Sequence, residues 1–180
     1  PAPDVPQMPA PAATQLGARL TSLVSVPGEQ GSLIAAAAGK AVHLLTPDGQ
    51  EVRTLDCDGD IRVLRWWSEA QLLLAGCVDE KVIAFTLAGE RKWEFTSVMD
   101  PAVYEAAKPY WFKSAPGHEG IHGLTMGTFY NGKSQAFVGS ACTLEVLDEA
   151  GQLVKRMPVF WGPIWKFLVL DGPDQTRNLV

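Results

Sequence analysis

Four things are missing from this 180-residue chain, and each absence removes a class of function. It has no basic cluster and a net charge of −5, which leaves no electrostatic footprint for nucleic acid or for an anionic membrane surface. No apolar run approaches the roughly 18 residues that a bilayer span requires, so insertion into a membrane is not expected. Cysteine is scarce: Cys57, Cys77 and Cys142 are odd in number and share no C-x-x-C spacing, which argues against a disulfide framework and a thiolate zinc site. They read as small buried apolar residues. The N-terminus also lacks the charged-then-apolar order of a signal peptide.

What remains is an ordinary globular composition, 47% hydrophobic and 19% charged, enough for one sizeable core. Residues 1–14, PAPDVPQMPAPAAT, carry five prolines and little apolar periodicity, and read as a Pro/Ala-rich linker. Residues 15–180 are periodic. The absence of an initiating Met, and an ending just after a new unit begins, point to a piece of a longer chain.

An internal repeat is the most informative feature. Gly17-Ala-Arg-Leu aligns with Gly59-Asp-Ile-Arg, with Gly120-Ile-His-Gly and with Gly162-Pro-Ile-Trp, at intervals of 42, 61 and 42 residues. Each of the first three starts is followed by an alternating apolar run and a turn glycine: Val42 to Gly49, Val82 to Gly89 and Leu144 to Gly151. Between the markers lie short apolar runs, Ser32–Ala38, Gln71–Cys77 and Gln135–Ser140. Each unit therefore reads as four short strands. A four-strand repeat of about 42 residues is the pattern of a β-propeller blade. The expectation is an all-β fold, a partial propeller of antiparallel four-stranded blades: units 17–58, 59–119 and 120–161, with the start of a fourth at 162–180.

Two resemblances follow from particular residues. Ala84-Phe-Thr-Leu-Ala-Gly-Glu-Arg-Lys-Trp93 resembles the blade signature of the quinoprotein-like (PQQ-like) propellers, with a small residue, a turn glycine and a Trp four positions later. The equivalent positions in the other units are Arg53 and Lys155, which depart from that pattern. Gly59-x-Ile-x-x-Leu-x-Trp66 is similar to the inner strand of WD40-like blades, although no Trp-Asp dipeptide closes a unit. The PQQ-like resemblance implies a bacterial periplasmic or secreted protein, a compartment that would also suit the Pro/Ala-rich leader. Its dehydrogenase members imply a calcium-bound quinone, but no set of cofactor ligands is matched here, and no cofactor is expected.

One stretch spells a catalytic motif. His118-Glu119-Gly120-Ile121-His122 is H-E-x-x-H, which holds zinc when a helix sets both histidines one turn apart. Pro116, Gly117, Gly120 and Gly123 are poor helix formers, and the repeat makes Gly120 the start of a strand. On a strand the two histidines stand about 13 Å apart, so a zinc site is not expected. Glu145, 23 residues past His122, has a third-ligand spacing but reads as a strand residue. Asp56, Asp58 and Asp60 open like a calcium loop yet lack its closing Glu, and read as solvated loop carboxylates. Gly139-Ser-Ala-Cys142 lacks the strand-to-helix elbow of a nucleophile. Trp66, Trp67, Trp161 and Trp165 fall at strand positions and read as blade packing.

The 61-residue interval contains an insertion of about 19 residues within 97–119. Strand order places it in the connection from one blade's outer strand to the next blade's inner strand. Asp100-Pro101 signals a short helix over 101–107 with Asp100 as N-cap. The insertion carries Tyr104, Tyr110, Trp111 and Phe112 with Lys108, Lys113 and His118. Aromatic faces beside cationic and hydrogen-bonding groups suit sugars or peptides; covering a blade edge is the plainer role.

Two functions therefore stand open. One is a binding or scaffold propeller that takes a polysaccharide or protein through the insertion, with Tyr104, Tyr110, Trp111, Lys113, His118 and His122 as candidate ligand contacts and the rest of its own chain as a further partner. The other is a propeller-type polysaccharide lyase or glycosidase in which His118, His122, Tyr110 and Lys113 act on a uronate. A quinoprotein is third.

Overall fold

The computed structural model describes residues 13–29, 31–99, 101–107, 109, 119–128, 132–159, 164–171 and 177–179. Three four-stranded antiparallel sheets follow one another along the chain. The first holds β1 (Leu20–Gly28), β2 (Gly31–Ala38), β3 (Ala41–Leu45) and β4 (Glu51–Asp56). The second holds β5 (Ile61–Trp67), β6 (Leu72–Cys77), β7 (Lys81–Phe85) and β8 (Arg91–Thr96). The third holds β9 (Gly123–Thr128), β10 (Ser134–Ser140), β11 (Thr143–Leu147) and β12 (Leu153–Pro158). Within each sheet every strand pairs with its sequence neighbour, so each is a simple meander, the form of a propeller blade. The expected all-β blade architecture is what the chain adopts.

Burial explains why each run forms the strand it does. In β6 all of Leu72–Cys77 are buried, which requires a strand covered on both faces and packed between neighbours. The outermost strand β12 is nearly all exposed. Two apolar cores lie between successive blades, not within them. Leu44, Val42 and Leu55 of the first blade meet Ile61, Leu64 and Leu73 of the second. Leu74, Val82 and Trp67 of the second meet Ile121, Leu124 and Leu147 of the third.

The hairpins joining third and fourth strands share one construction. Thr46 N donates to Gln50 O, Thr86 N to Glu90 O and Asp148 N to Gln152 O, while Gly49, Gly89 and Gly151 donate back to residues 46, 86 and 148. The residue that opens each turn uses its side-chain oxygen to accept from the amide four positions on.

The turn glycines explain the departures from the Trp pattern. Gly151 has φ +76°, and a Cβ there would lie 2.5 Å from the Trp93 ring; the indole of the second blade sits flat on the third blade's turn. The Trp93 indole N–H donates to Glu149 O at 2.9 Å. One blade earlier, Gly89 has φ +96° and its absent Cβ faces the Arg53 side chain, at 3.1 Å from Nη1. Arg53 thus fills in the first joint the seat that Trp93 fills in the second, its aliphatic stem replacing the ring.

The repeat start at Gly162 lies outside the described residues. Ile164 N donates to Ser140 O, but strand pairing starts only at β13 (Val169–Asp171) with β14 (Arg177–Leu179). The short helix α1 spans Pro101–Ala107, as its proline start signals; Asp100 lies outside the described residues.

Candidate functional site at the blade rim

The turns between second and third strands, at Gly39-Lys40, Val78–Glu80 and Ala141-Cys142, stand at one end of the blades, together with the starts of the inner strands. The insertion emerges at this end. It leaves β8 at Thr96; Ser97 N donates to Glu80 O, and the Ser97 and Ser140 hydroxyls share a buried hydrogen bond of 2.7 Å. Val98 N reaches the Glu145 carboxylate at 3.4 Å. In α1, Val103 packs on Cys142 and Met99. The chain returns at Ile121, whose amide donates to Cys77 O.

Glu145 is the unusual residue beneath this insertion. It is fully buried, and its Oε1 accepts from both Nε and Nη2 of Arg156 at 2.8 Å, while Oε2 has no hydrogen-bond partner among the described residues. A buried carboxylate of this kind depends on its guanidinium. Close by, burial pushes the Glu80 carboxyl above its ordinary range, and the carboxylates of Glu119, Glu145 and Asp79 push the same way.

The rim itself is built from a repeated position. Ile61, Ile121 and Ile164 each donate their amide back to the preceding blade, to Gly39, Cys77 and Ser140. The residues after them are Arg62, His122 and Trp165. By this hydrogen-bond criterion Gly59 and Gly120 are not equivalent, and the third unit is offset by one residue from the glycine alignment. A register shift between Ile61 and Val63 leaves Arg62 outside the regular ladder; Thr21 holds the matching place in the first blade, between Leu20 and Ser22.

These four residues form an arc in which each of the first three reaches the next unit. Thr21 Oγ1 donates to Ile61 O at 2.7 Å. Arg62 Nη1 donates to Glu119 O at 2.6 Å and lies 2.7 Å from Nε2 and 3.0 Å from Nδ1 of His122. An arginine donates only, so an unprotonated ring nitrogen must accept, and the imidazole in this contact is neutral. The His122 ring meets Trp165 edge-on, centroids 4.5 Å apart at 66°. Burial lowers the Arg62 pKa; no carboxylate forms an ion pair with it among the described residues.

The candidate contacts read from the sequence divide accordingly. His122 stands in the arc. Tyr104 lies on α1, while Tyr110, Trp111, Lys113 and His118 fall outside the described residues. Glu145, the notional third zinc ligand, is a strand residue of β11 as expected, engaged by Arg156. Among the described residues no group of three or more His, Cys, Asp or Glu could hold a metal. Asp58 is exposed between Lys81 and Arg91, in keeping with a solvated carboxylate, and the Arg91 and Lys81 hydrogen bonds hold it below its ordinary pKa. Cys57, Cys77 and Cys142 are buried thiols, none of them in a disulfide. Trp67 is a core residue whose indole N–H donates to Ser134 Oγ at 2.7 Å. Trp165 corrects the reading as blade packing: it is 55% exposed. Trp161 lies outside the described residues. Arg62 was missed and Trp165 was read only as packing; the signal that locates both is their place one residue after a repeat isoleucine.

A groove of about 680 Å3 opens at the other end of the blades, lined by Pro27, Leu33, Leu44, Val52, Arg53 and Leu87 among others. It is the open flank of the Arg53 seat, with Glu29 and Arg53 as its charged lining. Its size exceeds its chemistry, and the rim is the better candidate.

Blade meanders, inter-blade cores and repeated turns define the class: a WD40-like β-propeller portion. The solved structures it is similar to include Saccharomyces cerevisiae Sqt1, at TM-score 0.67 and 13% identity over 91% of this chain and 43% of that one. U3-55K matches at 0.62 and 12% over 92% and 53%, and the RRP9 WD40 repeats at 0.63 and 13% over 96% and 56%. The chain thus spans about half the length of these structures. At such identities the likeness is one of fold. No protein-family model matches the chain, and no curated protein matches its sequence. The WD40-like expectation is met; these likenesses do not speak for the quinoprotein-like one.

Proposed function

We propose that the chain is the binding portion of a WD40-like propeller and that a protein partner docks on the end of the blades that carries the 97–119 insertion. One observation carries this reading: the insertion is tied down at its base by Ser97, Val98 and Val103 on the same end as the Arg62, His122 and Trp165 arc. A connection anchored at its root loses less freedom when a partner docks on it. WD40-like folds host many functions, so the docking end is argued from the site, not the fold.

The test is site-specific photo-crosslinking in the cell of origin. A crosslinker at Ala106, exposed on α1, is expected to trap a discrete protein; one at Val52, exposed beside the groove at the other end, is not. Trapping only from Val52 reverses the face. A polysaccharide partner appears instead as glycan-array binding lost when 99–117 is replaced by a short turn. No observation favours a lyase, because its candidate acid and base either lie outside the described residues or, in His122, are already engaged by Arg62.

A further inference from the structure

We infer that the arc of Arg62, His122 and Trp165 is a binding site for a single oxyanion, a carboxylate or phosphate presented by a peptide, with Arg62 as its anchor. The inference deepens the docking reading above and rests on it for the word peptide.

The argument begins with the geometry of guanidinium. Arginine carries five N–H donors, and its Nε–Nη2 edge matches two oxygens of one carboxylate or phosphate. In Arg62 it is Nη1 that is committed, to Glu119 O and His122. The Nε and Nη2 donors have no partner among the described residues. The carbonyl and the neutral imidazole therefore fix the plane of the guanidinium while leaving its bidentate edge unused, a preorganised state that lowers the cost of capture.

Charge points the same way. Both partners of Arg62 are uncharged acceptors, so its positive charge is uncompensated by any ion pair among the described residues. Several other cations are matched, Arg156 to Glu145 and Arg91 and Lys81 to Asp58 and Glu94; Arg65, also without an ion pair among the described residues, is exposed where Arg62 is half-buried. A half-buried cation gains more from an anion than an exposed one does, and the Glu119 carboxylate acts on Arg62 electrostatically without forming an ion pair with it among the described residues. The chain is acidic overall, at −5, so the preference is local and not a bulk field. A polyanion needs a run of cations, and one anchoring guanidinium in this arc fits one oxyanion.

Trp165 supplies the second half of recognition. Its indole is 55% exposed and stands against His122, next in line from the anchor. An anion beside an aromatic surface suits an acidic or phosphorylated residue flanked by an apolar one.

The experiment is an NMR titration of the full chain with sodium acetate and, separately, inorganic phosphate. The Arg62 Nε–H and Trp165 indole N–H signals are followed. Saturable shifts at both, with Kd in the millimolar range, are expected. Arg62→Gln is expected to weaken binding at least about tenfold, while Arg65→Gln, an exposed arginine on the same strand, leaves it unchanged. Peptides acetyl-Gly-X-Leu-amide with X as Glu, phosphoserine or Gln then separate the sources: the tighter anionic peptide names the group. No saturable shift up to about 50 mM anion, an unchanged Kd in Arg62→Gln, or equal binding of the Gln peptide overturns the inference. Anion binding without crosslinking at Ala106 sinks the docking reading alone; crosslinking that survives Arg62→Gln, with no anion binding, sinks this inference alone.

Discussion

The joint between the first and second blades and the joint between the second and third solve the same packing problem with different chemistry. The first is apolar in its interior, with aliphatic residues from facing sheets and Arg53 over Gly89, and its polar ties are Thr21 to Ile61 O, Leu64 N to Ser22 Oγ and the exposed Asp58 pairs with Lys81 and Arg91. The second adds an indole locked onto Gly151, a Trp67–Ser134 hydrogen bond, a buried serine pair and the Glu145–Arg156 ion pair. The serine pair and the Glu145–Arg156 ion pair sit where the insertion leaves the sheet, whereas the indole seat and the Trp67–Ser134 bond lie at the other end of the blades. An inserted segment disturbs the regular connection between blades, and directional bonds hold a geometry that non-directional apolar packing does not specify.

The widest contrast is expected from Arg156→Ala. It strands the buried Glu145 carboxylate, and breaking such a pair costs about 3–5 kcal/mol, measured by denaturant unfolding. Replacing Glu145 and Arg156 together by leucine is expected to recover most of that loss, because the penalty lies in the unpaired charge. A double variant as unstable as the single one would show that the pair serves another need.

The two glycine seats sharpen the comparison directly. Gly151→Ala places a methyl group inside the Trp93 ring and strains a left-handed backbone, for a loss of about 2–4 kcal/mol. Gly89→Ala carries similar backbone strain, but Arg53 can swing aside, so about 1–2 kcal/mol is expected. Equal losses measured by urea denaturation would mean that backbone strain alone sets the cost and that the indole seat adds nothing.

Glu80, at the second joint, gives the smallest effect. Burial favours its uncharged form, so the folded chain binds the proton more tightly than the unfolded chain does. Its contribution to stability is therefore greatest below the ordinary glutamate pKa and declines as pH rises from there through the raised folded value. Glu80→Gln is expected to flatten that decline and to raise Tm at pH 7 by about 2 °C. A thermal scan from pH 4 to pH 7 in which variant and wild type keep a constant difference would refute it.

The blade architecture was legible because the signal is periodic and local. Alternating apolar residues, a turn glycine and a fixed marker spacing are set by strand pleat and hairpin geometry, which neighbouring residues determine among themselves. The helix over 101–107 was legible for the same reason, from a proline that fits the first turn. The rim was half legible. His122 drew attention through H-E-x-x-H and not through its contact with Arg62, whereas Arg62 looked like any strand residue.

By itself the sequence determined the repeat, the strand-rich class, the place of the insertion and the implausibility of a zinc-bearing helix, since each follows from spacing or from backbone preferences. Only the tertiary structure decided that Arg53 takes the seat of Trp93, that Glu145 is buried against Arg156, and that Arg62, His122 and Trp165 meet. Those residues lie up to 103 positions apart, from 62 to 165. They touch because each blade bonds back to the one before it, and that stacking carries one repeat position into contact with its own copies.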